Sequence, residues 1–379
     1  MKIPAGRLAL GLCAALMLSP VLCGQTSAPV PAAPPNLVSP EVAADRRVTF
    51  RMFAPAAGKV AVVGQWDNNL PHDMTKDERG VWSVTLGPIT PSYWIYNFTL
   101  DGVALVDPVN PLVKLRMRTS ASLVSVPAES PALWEPRADV PHGAVDINWH
   151  SSKVAGDVRP FYVYTPPGYD TSGTTRYPVL YLLHGNNGTA GDWTAAGRAN
   201  FMADNLLAAQ RMMPMIIVMP WGHTLPYSPT GLVAENDPAF DRYLTEEVMP
   251  LVEKKYRVAA GRENCAIMGL SMGGGQALKT GLSHLDLFAS VGAYSAATIR
   301  DFDTRFAALL ADPAGTNAKL KLLWLGCGRQ DSLFSFSETT HATLTTAKIN
   351  HIFFSLDGYH DFYFWRRCIE ETLPKLFRP

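Results

Sequence analysis

The chain has 379 residues, with 33 Lys and Arg against 33 Asp and Glu, and 47% of it is hydrophobic. At roughly 100–200 residues per domain it has room for two domains or one large one. The balanced charge, without a long run of one sign, argues against a protein held to nucleic acid by phosphate contacts.

The N-terminus reads as an export signal. Lys2 and Arg7 give a short positive end, Leu8 to Leu18 is apolar, and small residues follow, with cleavage expected after Gly24 or Ala28. Residues 1–28 are expected to leave, with no transmembrane span after them, which points to a secreted or periplasmic protein. Residues 29–44, with Pro29, Pro31, Pro34, Pro35 and Pro40, read as a linker. Cys265, Cys327 and Cys368 are scattered without C-x-x-C spacing. They are expected as buried thiols rather than as a zinc site or a disulfide framework.

From residue 45 to 126 the texture is β. Val48 to Phe53 and Lys59 to Gly64 read as short strands. Val81 to Leu86 and Tyr93 to Leu100 alternate with period two, the latter running into the turn pair Asp101-Gly102. Closely spaced short strands predict a small β sandwich. Residues 127–141 are Pro-punctuated and read as a second linker. From 142 to 379 the pattern changes. Phe161 to Tyr164, Pro178 to Leu183, Met215 to Met219, Cys265 to Met268, Leu320 to Leu325 and Ile352 to Leu356 read as strands. Helical spacing covers Ala195–Gln210, Phe240–Lys255, Met272–Leu282 and Phe362–Leu373. Alternating β and α predicts a mostly parallel sheet covered on both faces.

The strongest chemical signal is Gly269-Leu270-Ser271-Met272-Gly273, between an apolar strand and a helix. A serine on so tight a turn is exposed, and the helix start offers backbone N–H groups to an oxyanion. A serine nucleophile needs a base, and the base an orienting acid. His360 and Asp331 both fall just after predicted strands, in the order Ser, Asp, His expected of an α/β-hydrolase fold. His284, His341 and His351 are weaker candidates, and Asp361 better suits the start of the last helix. Leu183-His184-Gly185-Asn186 supplies the early loop, so the Asn186 and Met272 amides are the expected oxyanion donors. His184 itself is expected to be buried and to shape that loop. The loop Trp221–Pro238 is expected to line the pocket, with Trp221, His223 and Tyr227 facing an aromatic acyl group.

Residues from about 140 to 379 resemble the esterase D-like family of α/β hydrolases. That family includes carbohydrate esterase family one, with its feruloyl and acetylxylan esterases, and also the siderophore esterases, S-formylglutathione hydrolases and mycolyltransferases. The resemblance rests on Leu182-Leu183-His184-Gly185, Tyr256-Arg257-Val258, Gly269-Leu270-Ser271-Met272-Gly273-Gly274, and Gly358-Tyr359-His360-Asp361 with Trp365-Arg366. It implies Ser271 as nucleophile, Met272 as oxyanion donor, His360 as base and Asp331 as acid, with no cofactor and no metal. Phe362 departs from it, standing where many relatives have Trp. The front region resembles carbohydrate-binding module family forty-eight, a domain type related to immunoglobulin-like sandwiches, through Phe53-Ala54-Pro55, Val60 to Gly64, Trp66, Met74, Gly80-Val81-Trp82, Tyr93, Tyr96, Asp101-Gly102 and Asp107-Pro108. Trp66 and Trp94 are the expected exposed sugar contacts. The expected partner is a plant polysaccharide or another acyl-ester substrate, with no nucleic acid, and the sequence carries no signal of oligomeric state. A siderophore esterase, an acyltransferase and a catalytically silent polysaccharide-binding protein are the alternative readings.

Overall fold

Period-two alternation organises the front of the protein. The computed structural model describes residues 36–227, 235–297, 299 and 301–378. The expected signal, 1–28, and the first part of the expected linker, 29–35, lie outside the described residues. Two antiparallel sheets face each other from Glu41 to Val126. One runs Glu41–Val42, Val48–Phe53, Val81–Leu86, Thr75–Lys76. The other runs Pro71–Asp73, Val60–Gly64, Ser92–Leu100, Ala121–Val126, Val113–Lys114, with Val103–Leu105 also beside Ser92–Leu100. Phe50, Met52 and Trp82 from the first sheet meet Val62, Trp94, Tyr96, Phe98 and Val124 from the second.

Both tryptophans expected at the surface belong to this packing. Trp94 is 4% exposed; its indole N–H donates to Thr90 O at 2.7 Å and its ring stacks on Tyr363 at 5.3 Å. The reason is the pleat: Trp94, Tyr96 and Phe98 share one face of their strand, and that face is the sandwich core. Trp66 folds back over Gly64, where no Cβ stands in the way, and stacks on Phe50 at 5.3 Å. It is partly buried against the same core.

The opposite face of these strands is also covered. Tyr93 and Ile95, with Ala121 and Leu123 from the neighbouring strand, join the core cluster of the second half of the chain. A strand with no solvent face must be apolar at consecutive positions, which explains the run Tyr93-Trp94-Ile95-Tyr96.

The second half is built on one eight-stranded sheet in the order Ala144–Ser151, Val158–Thr165, Ile216–Met219, Val179–Leu183, Cys265–Leu270, Ser290–Tyr294, Leu322–Gly326, Ile352–Phe354. The first three are joined antiparallel and the rest are parallel. Apolar clusters lie on both faces of the sheet. This is an α/β-hydrolase fold preceded by a β sandwich. Two strands go beyond the expected set. Ser290–Tyr294 reads Ser-Val-Gly-Ala-Tyr, and its small residues give little strand signal although the tertiary fold buries all five. Ala144–Ser151 is an edge strand, and its alternating apolar residues Val145, Ile147 and Trp149 are exposed. The helix expected over Ala195–Gln210 is split into Asp192–Ala195 and Ala199–Ala208. The one expected over Phe240–Lys255 begins at Asn236 and contains a π-helical stretch, Tyr243–Val248.

The Pro-rich stretch 127–141 is packed. Leu133 and Trp134 lie against the hydrolase core, and Asn205 Nδ2 donates to the carbonyls of Leu133 and Glu135 at 2.8 and 2.9 Å. Arg366, 3% exposed, fastens the two halves together. Its guanidinium donates to Ala196 O at 2.7 Å, Ser92 Oγ at 2.6 Å and Tyr93 O at 2.9 Å. Replacing it by Met would remove the charged donor from all three contacts. Arg366→Met is expected to cost on the order of 3 kcal/mol of stability, read as a lower urea midpoint; an unchanged midpoint would show that the guanidinium does not hold the halves together.

Candidate active site

The strand Cys265–Leu270 delivers Ser271 to the helix Met272–Ser283 through a forced turn. Ser271 has φ 53° and ψ −118°, a conformation that costs an L-residue about 1–3 kcal/mol unless its surroundings impose it. They do. Ser271 N–H donates to Tyr294 O at 2.8 Å, and Ser271 O accepts from Ala297 N at 2.8 Å and Gly275 N at 3.0 Å. Glycines make room for the turn. A Cβ on Gly273 would lie 2.5 Å from His184 O and 2.7 Å from Leu183 Cβ, and one on Gly269 would lie 2.5 Å from Gly273 O. Gly185 faces the turn from the other side, where a Cβ would come within 3.2 Å of Ser271 Cβ.

His360 leaves the last strand, and the structure brings it to the serine. Ser271 Oγ lies 2.9 Å from His360 Nε2, and His360 Nδ1 lies 2.8 Å from Asp331 Oδ2. A carboxylate can only accept, so Nδ1 carries the proton and Nε2 faces the serine hydroxyl as an acceptor. The Asp331 side chain is fully covered, and its other oxygen accepts from Leu333 N at 2.8 Å. Burial pushes the Asp331 carboxyl up, but the hydrogen bond and charge of His360 and the Leu333 amide outweigh it and hold its pKa below the ordinary value. The Trp365 ring meets the imidazole edge-on at 4.9 Å.

The competing residues have other partners. Asp361 caps the helix Phe362–Thr372 by accepting from Phe364 N at 3.0 Å, and Asp357 pairs with Arg329 at 3.0 Å. His341 bonds His351 at 2.7 Å, and His284 bonds Asp241 at 3.1 Å. His184 is buried, accepts Gly222 N–H at Nε2 at 2.8 Å and donates from Nδ1 to Gly185 O at 2.8 Å. Burial also lowers its pKa, so it stays neutral and ties two loops together.

Ser271 and His360 open onto a cavity of about 280 Å³. Its wall includes Gly185, Asn186, Leu270, Phe362 and Trp365 from the hydrolase and Gln65, Ile95, Lys114 and Arg116 from the sandwich. Among the described residues, the Asn186 and Met272 amide N–H groups have no hydrogen-bond partner, and Met272 opens the elbow helix. Trp221, His223 and Tyr227 are placed differently from the expectation. They group around His184, at ring separations of 6.3 Å from His184 to Trp221, 5.6 Å from His184 to His223 and 5.2 Å from His223 to Tyr227. None is among the described residues of the cavity wall. His223 is buried, and burial, with the Arg159 guanidinium beside it, pushes its pKa down to about 3. Residues 228–234 of the loop expected at the pocket lie outside the described residues.

The sandwich side of the wall has no sequence signal of its own. Its segment Lys114–Arg118 reaches the loop that carries Asn186. Met117 N donates to Asn187 O at 3.1 Å, Arg118 N to Asn187 Oδ1 at 2.9 Å, and Lys114 Nζ pairs with buried Asp192 at 2.8 Å. Asn187 sits at φ 60°, a conformation that Asn tolerates better than most residues.

The sequence model of the esterase family matches residues 152–376, more than half of the chain. The protein belongs to this family. Residues 38–110 match the model of carbohydrate-binding module 48, the isoamylase N-terminal domain. An endo-1,4-beta-xylanase/feruloyl esterase of Xylanibacter ruminicola is 28% identical over 354 residues, which are 92% of this chain and 47% of that protein. The chain thus spans about half the length of that curated relative. The ferulic acid esterase Fae1A of Anaeromyces mucronatus superposes with a TM-score of 0.56 at 26% identity, over 65% of this chain and 94% of that one. The enterochelin esterase of Shigella flexneri shares the fold over 89% of this chain and 95% of its own, with a TM-score of 0.65 at 19% identity.

Two outcomes follow from the site's geometry. Gly273→Ala is expected to push His184 O and the elbow apart, lowering the melting temperature and slowing labelling of Ser271 by a fluorophosphonate; equal labelling would mean that the elbow has slack. The carboxyl of Asp331 has a folded pKa below its unfolded one, so its stabilisation is present above the ordinary carboxylate value of 3.8 and lost as pH falls through the folded value. The stability gap between the wild type and Asp331→Asn should therefore be largest near neutral pH and should narrow at pH 3, as read by urea denaturation.

Proposed function

We propose that this protein is an exported serine esterase, a carboxylic ester hydrolase that removes feruloyl or acetyl groups from plant polysaccharide such as xylan. The observation that carries the reading is the hydrogen-bonded series Ser271, His360, Asp331 opening on a cavity. Export is supported by the signal-like residues 1–28. The substrate class is supported by the likeness to the Xylanibacter endo-1,4-beta-xylanase/feruloyl esterase and the Anaeromyces ferulic acid esterase.

In this reading His360 Nε2 takes the hydroxyl proton as Ser271 Oγ attacks the ester carbonyl. The resulting imidazolium is stabilised by Asp331, which stays ionised. The tetrahedral oxyanion accepts the Asn186 and Met272 N–H groups. These are fixed before the substrate arrives, so no reorganisation is needed as charge develops. His360 returns the proton to the departing alkoxide, leaving an acyl-serine. Water, deprotonated by the same imidazole, then releases the acid.

Purified protein lacking residues 1–28 is expected to release ferulate from methyl ferulate, with Ser271→Ala losing turnover by a factor on the order of a million. Acetate release from acetylated xylan without ferulate release would make it a deacetylase. Equal rates in the wild type and Ser271→Ala would overturn the serine mechanism. Asp331→Asn is expected to lower kcat by about 10³–10⁴ with KM little changed, because the imidazole loses its tautomer and orientation rather than its substrate contacts.

A further inference from the structure

The cavity beside Ser271 holds more positive charge than an uncharged ester needs. Lys114 and Arg116 both stand on its wall, and both come from the sandwich. Lys114 has its partner in Asp192, at 2.8 Å with both side chains buried. Arg116 has none of that kind. Its one hydrogen bond among the described residues runs from Nη1 to Asn97 Oδ1, an uncharged acceptor, at 3.4 Å. A guanidinium has five N–H donors and stays charged at any working pH, so most of its donor capacity is unused. Burial presses its pKa down, and the Asp192 charge only partly offsets this. The two cations and Asp192 leave a net positive wall facing Ser271 and His360, and no other carboxylate is among the described lining residues.

Resting on the reading of the site above, we propose that Arg116 selects ester substrates carrying a carboxylate, which its guanidinium engages within the catalytic cavity. The geometry of a guanidinium suits a carboxylate, which it can bind through two parallel N–H···O bonds. The cavity, at about 280 Å³, is at the small end of ligand sites. A group held by Arg116 is therefore part of the ester being cleaved and not of a distant stretch of polymer. Lys114 and Asp192 act behind it, fixing the strand Val113–Lys114 against the loop that carries Asn186. The sandwich then serves as a specificity wall of the active site.

The carboxylate could sit on the acyl half or on the alcohol half of the ester, and two matched pairs separate these. The acyl pair is monomethyl terephthalate against dimethyl terephthalate. The alcohol pair is 4-acetoxybenzoate against its methyl ester. For each pair the ratio of kcat/KM, charged over neutral, is measured for the wild type, Arg116→Gln and Arg116→Lys at fixed ionic strength. Arg116→Gln is expected to lower the ratio at least tenfold in one pair, and the pair that responds locates the carboxylate. Arg116→Lys, which keeps the charge, is expected to retain more of the ratio than Arg116→Gln. Ratios unchanged within twofold in both pairs, with ester hydrolysis retained, would overturn the role of Arg116 alone. Equal loss in Arg116→Gln and Arg116→Lys would overturn a role for its charge. A wild type no faster than Ser271→Ala on all four esters and on methyl ferulate would overturn the reading of the site, and this inference with it.

Discussion

The strand Ser92–Leu100 has no free face, and much else follows from that. Trp94, Tyr96 and Phe98 on one side complete the sandwich core, while Tyr93 and Ile95 on the other join the core of the eight-stranded sheet. Arg366 locks the start of this strand by taking Ser92 Oγ and Tyr93 O, and it reaches Ala196 with the same guanidinium. Burying a full charge is tolerable here because each contact is a charge-assisted hydrogen bond to a fixed acceptor. With the seam closed, the next strands along the sandwich sheet, Ala121–Val126 and Val113–Lys114, are set in place. The segment just after Lys114 then meets the loop that carries Asn186.

The turn at Ser271 depends on a comparable over-determination. Ser271 occupies a backbone conformation that it would not adopt alone, and three backbone hydrogen bonds together with the space left by Gly185, Gly269 and Gly273 hold it there. His184, kept neutral by burial, bridges Gly185 O and Gly222 N, so the loop beside the serine is fixed by a side chain that bonds neither Ser271 nor His360. The site is rigid because its supports are backbone groups at the ends of parallel strands, where an open α/β sheet gathers its functional loops.

The elbow was legible in the sequence because its constraint is local: a serine between glycines, an apolar strand before it and a helix after it. His360 and Asp331 were legible because loops after strands carry such groups, and the choice against Asp361 came from the demand of a helix start for a cap. The strand Ser290–Tyr294 was not legible, since Ser, Gly and Ala become strand residues only when neighbours on both sides pair with them. Trp66 and Trp94 were misjudged as surface residues for a related reason: which pleat face is outside depends on what packs there. Lys114 and Arg116 carry no motif at all. Their place on the cavity wall exists only once the sandwich sheet is laid against the hydrolase, a contact between segments far apart in the chain.

The doubly buried strand also bears on how such a protein could be rearranged by recombination. A carbohydrate-binding module joined by a loose tether can be exchanged among enzymes without touching their chemistry. Here the sandwich shares a core with its neighbour and contributes side chains to the cavity, and the Pro-rich stretch between them is itself packed through Leu133 and Trp134. A chimera that imported a different sandwich would need to match the register of Tyr93 and Ile95 and bring its own counterparts of Lys114 and Arg116. The two halves therefore share one packed core, and substitutions in the half that holds none of the Ser271, His360 and Asp331 set can reshape the cavity wall.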